Sequence, residues 1–102
     1  MARARNLLHN ILKGLTGVEE AYFQPDGTVK MTYPCIVYER KDSLDFHADN
    51  ILYVFKKRYT VTVIDRDPDS AIPDLVEALP LTKFDRFFTA AGLNHFVFNL
   101  YF

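Results

Sequence analysis

From Tyr59 to Ser70 the chain reads Tyr-Thr-Val-Thr-Val-Ile-Asp-Arg-Asp-Pro-Asp-Ser. The first half predicts a strand. Tyr59, Val61 and Val63 alternate with Thr60, Thr62 and Ile64, all β-branched or aromatic residues that suit a pleated surface. The second half stops that strand. Asp65, Asp67 and Asp69 at alternate positions, with Pro68 and Ser70, break the alternation and open a helix. The rest of the chain must pair with this strand or fold back over it.

Spacing places the other elements. Leu7, Leu8, Ile11, Leu12 and Leu15 form one apolar stripe of a helix over residues 2–15, with His9 on its polar face. Gly14 and Gly17 bracket its end. Residues 18–23 predict a short strand, Gln24-Pro25-Asp26-Gly27 a turn, and residues 28–31 a segment that pairs back or stays irregular. Pro34 introduces a strand over residues 35–40, a position where proline need not donate to the ladder. Residues 41–50 are polar and join two strands, so they predict a long hairpin arm. Residues 51–55 start the next strand, and Lys56-Lys57-Arg58 interrupts it or makes a bulge. Ile72, Leu75, Val76 and Leu79 give a second helix, with Ser70 or Asp69 as N-cap, Pro73 in its first turn and Pro80 beyond its end. Residues 82–90 form a strand rich in rings, residues 91–94 a turn, and residues 95–102 the last strand.

This order predicts an α+β fold: a mainly antiparallel sheet of four to five strands, two helices packed on one face, and the long hairpin arm. The 102 residues make a single domain. One face of the sheet is left over, and part of it or an edge is expected to meet another subunit. Nine Phe and six Tyr in so short a chain fit either a Phe-rich core or aromatic interfaces between proteins.

Charge argues against one class of partner. Twelve basic and thirteen acidic residues leave a net charge of -1, which gives no basis for holding a polyanion by bulk electrostatics. No apolar run approaches the roughly 20 residues that span a bilayer. Residues 1–15 lack the unbroken apolar core of a signal peptide. The single Cys35 excludes an internal disulfide and a cysteine-based zinc cage. It lies in an apolar run, as a buried structural thiol does.

The constellations that could carry chemistry are weak. Asp65-x-Asp67-x-Asp69 resembles the start of a calcium loop, but Ser70 stands where glycine is needed and Val76 where the bidentate glutamate belongs. Pro25-Asp26 with Glu39-x-Lys41 fits a short, permissive nuclease pattern. Asp45-x-His47-x-Asp49 could ligate a metal, without a further histidine nearby. Neither Ser43 nor Ser70 has the partners of a nucleophilic triad. No catalytic residue, cofactor or metal site is predicted. The basic run Lys56-Lys57-Arg58 reads as a solvated strand edge, or as a contact for phosphate or an acidic partner.

Longer segments carry a resemblance. Pro34-Cys35-Ile36-Val37-Tyr38-Glu39, the stretch from Tyr59 to Ser70, Phe84-Asp85-Arg86-Phe87 and Leu93-Asn94-His95 resemble the tail terminator proteins of long-tailed bacteriophages, also called tail completion or tail-to-head joining proteins. The similarity runs from Pro34 to Phe102 and is weaker over the first helix. It implies a non-enzymatic virion subunit, assembled in the host cytoplasm, that forms a ring, usually a hexamer. The ring caps the tail tube, ends its growth and offers a docking surface to a head-closure or connector protein. DNA passes through the channel without specific binding, which suits the near-neutral charge. On this reading Asp45, Phe46, His47, Asp49 and Asn50 of the arm, Lys56-Lys57-Arg58 and Tyr101 are candidates for the oligomer or tube interface. The rival readings are another neck component of the same size, or the small metal-dependent nuclease.

Overall fold

A computed structural model describes residues 4–41 and 57–102. They form two helices and a five-stranded mixed sheet, an α+β fold. Helix α1 (Arg5–Lys13) leads to β1 (Glu20–Phe23), β2 (Cys35–Lys41) and β3 (Arg58–Asp65). Helix α2 (Ile72–Glu77) follows, then β4 (Thr82–Ala90) and β5 (Leu93–Tyr101). The strand order is β1-β2-β3-β5-β4. The predicted arm over residues 41–50 begins one residue late, since Lys41 pairs with Arg58 as the end of β2; residues 42–50 and the predicted start of a strand at residues 51–55 lie outside the described residues.

Strand β3 is central, as its β-branched alternation requires. It pairs antiparallel with β2, from Cys35 opposite Ile64 to Lys41 opposite Arg58, and with β5 on its other side, from Arg58 opposite Tyr101 to Asp65 opposite Asn94. Tyr59, Val61 and Val63 point to one face and are fully buried. They share one apolar cluster with Ile36 and Tyr38 of β2, Phe98 and Leu100 of β5, Phe102, Leu8 and Leu12 of α1, and Ile72 and Val76 of α2. Each such side chain contributes about 1.5–3 kcal/mol relative to exposure. This cluster, rather than local propensity, holds the short α2.

The sheet is mainly antiparallel, as expected, with one parallel pair. β1 runs parallel to β2, with Glu20 opposite Cys35 and Phe23 opposite Tyr38. Residues 28–31 do not pair back. Parallel neighbours need a crossover connection, and the segment between these strands returns past β1, where the Tyr22 hydroxyl accepts from the Thr32 N–H at 3.1 Å.

The exit of β3 is built from local turns. Asp65 accepts from the Asp67 N–H at 3.0 Å, and Asp67 from the Asp69 N–H at 2.9 Å. The N-cap differs from expectation: Ala71 occupies that position, and Ser70 lies one residue earlier, its hydroxyl accepting from the Ile72 N–H at 3.2 Å. Pro73 follows Ile72 and has no N–H to cap, so the hydroxyl takes the preceding donor. The turn before β5 is also tighter than residues 91–94. Ala91 and Gly92 alone make it, with φ of 53° and 76°, the left-handed pair of a two-residue hairpin. Asn94 therefore belongs to β5. It is buried, and its amide donates to the carbonyls of Asp65 and Arg66 at 3.1 and 3.2 Å, tying the start of β5 to the end of β3.

Candidate functional site

The surface that stands out is β4. It is the last strand in the order, so no strand lies on its outer side among the described residues. Phe84, Phe87 and Phe88 are 45%, 48% and 40% exposed. A bulge at Asp85 sets their directions. Phe84 lies opposite Phe98, Arg86 opposite Val97 and Phe87 opposite Phe96, so the register slips by one residue between Phe84 and Arg86. Residues three apart normally point to opposite faces. Here the extra residue brings Phe84 and Phe87 to the same face. The rings confirm it: Phe84 meets Phe98 edge-on at 5.5 Å and Phe87 meets Phe96 at 4.9 Å. Phe88 projects from the other face and stacks on His95 at 4.5 Å.

Each ring is thus held on one side and open on the other. A fully covered Phe buries roughly 150–250 Å². Covering the exposed part of all three is worth on the order of 6 kcal/mol at about 25 cal/mol per Å². Association costs about 4–15 kcal/mol, so the rings alone roughly offset the lower end. A stable contact here must also use the free backbone edge of β4. Beside it, Pro68, Ser70, Pro73, Asp74, Glu77, Phe84, Phe96 and Phe98 line an open groove of about 350 Å³ between α2 and the sheet.

A second apolar surface lies on α1, the helix set against β1 at the opposite end of the strand order. Leu8 and Leu12 face the core, but Leu7 and Ile11 remain 48% and 38% exposed. Two of the five residues of the predicted stripe are therefore left largely open, while Leu15 packs against the core. Ile11 continues into a groove of about 180 Å³ formed with Leu8, Leu79, Pro80, Leu100 and Phe102.

Of the interface candidates read from the sequence, Lys57, Arg58 and Tyr101 are brought together. Arg58 is Tyr101's neighbour across the β3–β5 ladder, its guanidinium donates to Asn99 at 3.4 Å, and the Lys57 carbonyl accepts from the Phe102 N–H at 2.9 Å. Arg58 is half-buried in the central strand, which corrects the expectation of a solvated edge. Asp45, Phe46, His47, Asp49, Asn50 and Lys56 lie outside the described residues.

The catalytic alternatives find no assembled site among the described residues. Among the described residues no group of His, Cys, Asp and Glu could hold a metal. Asp26 spends its carboxylate on the Thr28 hydroxyl and N–H, which hold it below its usual range. Glu39 pairs with Lys41 at 3.1 Å on the same face of β2. Cys35 is fully buried, and burial, with Asp65 nearby, pushes its thiol up to about 11. A thiol so placed stays protonated and is a poor nucleophile.

His9 is more than a polar-face residue. The buried Tyr38 hydroxyl accepts from Arg5 at 3.1 Å and lies 2.7 Å from Nδ1 of His9. Arg5 also covers the Phe23 ring at 4.3 Å. The three polar groups satisfy one another and pin the start of α1 to β2, a structural role.

Sequence reasoning missed the phenylalanines of β4 as surface residues. The signal was present: rings at Phe84, Phe87 and Phe88 interleaved with Lys83, Asp85 and Arg86 fit neither a half-buried nor a fully buried strand. No helix among the described residues is long and apolar enough to cross a membrane. Comparison with known proteins adds no relative, since the chain matches no protein-family model, no curated protein and no solved structure.

Proposed function

We propose that this protein is a structural virion subunit of the tail-terminator kind: a ring-forming protein, hexameric by that resemblance, that caps a bacteriophage tail tube and joins it to a head-closure or connector protein while DNA passes through. The observation that carries the reading is the exposed aromatic edge of β4 together with the exposed Leu7 and Ile11 of α1. Two different apolar surfaces on one chain are what a head-to-tail contact uses, and such contacts give a ring where the rotation between copies closes. Large apolar patches left open by the fold are a mark of interaction sites. The sequence resemblance supplies the identity of the tube and connector as partners.

The test is growth of tail tubes from purified tube protein with and without this chain. The reading predicts tubes of arrested length with a ring of extra density at one end. Tubes that lengthen unchanged and carry no added end density contradict it.

A further inference from the structure

The sequence of β4 is complementary to itself when run antiparallel. Thr82-Lys83-Phe84-Asp85 is followed by Arg86-Phe87-Phe88-Thr89. Fold a second copy against the first about a two-fold axis between Asp85 and Arg86. Asp85 then faces Arg86 of the second copy, Phe84 faces Phe87, Lys83 faces Phe88, and Thr82 faces Thr89. These are two opposite-charge pairs, two ring–ring pairs and two cation–ring pairs once symmetry is applied, each a favourable cross-strand neighbour.

An unbroken strand could not use this register. Residues such as Phe84 and Phe87 would point to opposite faces, and facing neighbours in a sheet share a face. The bulge removes the conflict. Thr82, Phe84, Phe87 and Thr89 lie opposite Leu100, Phe98, Phe96 and Asn94, alternate residues of β5 and so one face. Lys83, Arg86 and Phe88 lie opposite Asn99, Val97 and His95, the other face. Every facing pair outside the bulge is matched in face as well as in chemistry.

We propose that β4 pairs antiparallel with β4 of a second copy of this chain in that register, extending two five-stranded sheets into one. Bulges and charges often protect an edge from pairing. Here Asp85 and Arg86 pair with each other within the chain at 3.0 Å, and the two-fold register exchanges those two pairs for two across the axis, so the charges do not repel a second copy. A protected edge also has no reason to display three half-open phenylalanines.

The pairing belongs to the free chain and does not rest on the tail-terminator reading. A two-fold pair and a head-to-tail ring compete for β4, so the pair is a resting form that ring assembly must open. Sedimentation velocity over a range of concentrations, with circular dichroism to check the fold, reads the dimer. Asp85→Arg and Arg86→Asp each set like charges face to face and weaken it by about tenfold in Kd. The double exchange Asp85→Arg/Arg86→Asp restores it. Mild oxidation of mixed Phe84→Cys and Phe87→Cys chains gives a cross-linked dimer, whereas Phe84→Cys alone does not. The proposal is overturned if the wild-type chain stays monomeric at every concentration. It is equally overturned if the double exchange is no better than the single ones, or if Phe84→Cys cross-links alone as well as in the mixture. A monomer that still caps tubes removes the pair and leaves the ring. A dimer in this register that never caps tubes does the reverse.

Discussion

Phe98 and Phe84 touch, with ring centroids 5.5 Å apart, yet they do different work. Phe98, on β5, has strands on both sides and is 1% exposed. Phe84, one strand further out, is 45% exposed. The same contrast separates β3 from β4 as a whole. β3 hides Tyr59, Val61 and Val63, while β4 displays its rings and has no buried residue. Apolar character alone does not tell a core strand from a contact strand. Position in the sheet does, because only inner strands are covered on both edges.

The sharpest way to break this contrast is to remove each ring in turn. Phe98→Ala should cost about 3–5 kcal/mol, a large part of a small domain's stability, read as a lowered urea midpoint. Phe84→Ser should cost less than about 1.5 kcal/mol and leave a cooperative transition, while weakening self-association. Equal losses from both would mean that β4 serves the core.

A second test uses the other buried face. Cys35 should resist thiol reagents in the native protein at neutral pH and react fully in urea. Its ordinary value is 9.0 and burial raises it to about 11. The unfolded thiol ionises first, so its contribution to stability is complete below pH 9 and is lost as pH rises towards 11. A native thiol that reacts at the unfolded rate would show that this face is open.

Smaller effects test the links between elements. Tyr38→Phe removes the oxygen shared by Arg5 and His9 and should cost about 1 kcal/mol, seen as a lowered thermal midpoint. Ala91 holds a left-handed φ that an L-residue adopts at a cost of about 1–2 kcal/mol. Ala91→Asn creates the Asn-Gly pair favoured in such hairpins and should raise stability by up to about 1 kcal/mol.

Much of the fold was legible from local pattern. β-Branched alternation marked β3, and the run from Thr82 to Ala90 marked β4 with its observed ends. Proline and glycine punctuation marked the second helix and the last hairpin. Less legible was anything set by partners distant in sequence. Four residues of β1 cannot announce a parallel neighbour. His9 reads as solvent-facing because its partner, Tyr38, comes from another element. The exposed rings of β4 escaped notice for the same reason. Loop length and charge directed attention to the arm and to Lys56-Lys57-Arg58, but edge status, which exposes β4, is a property of strand order alone.

The central claim is that the phenylalanines of β4 serve association and not folding. Sedimentation velocity of the wild-type chain beside Phe84→Ser/Phe87→Ser, with far-UV circular dichroism on both, tests it directly. The wild-type chain should self-associate as concentration rises, and the variant should stay monomeric with the same secondary structure. A wild-type chain that sediments as a monomer throughout, or a variant that associates equally well, contradicts it.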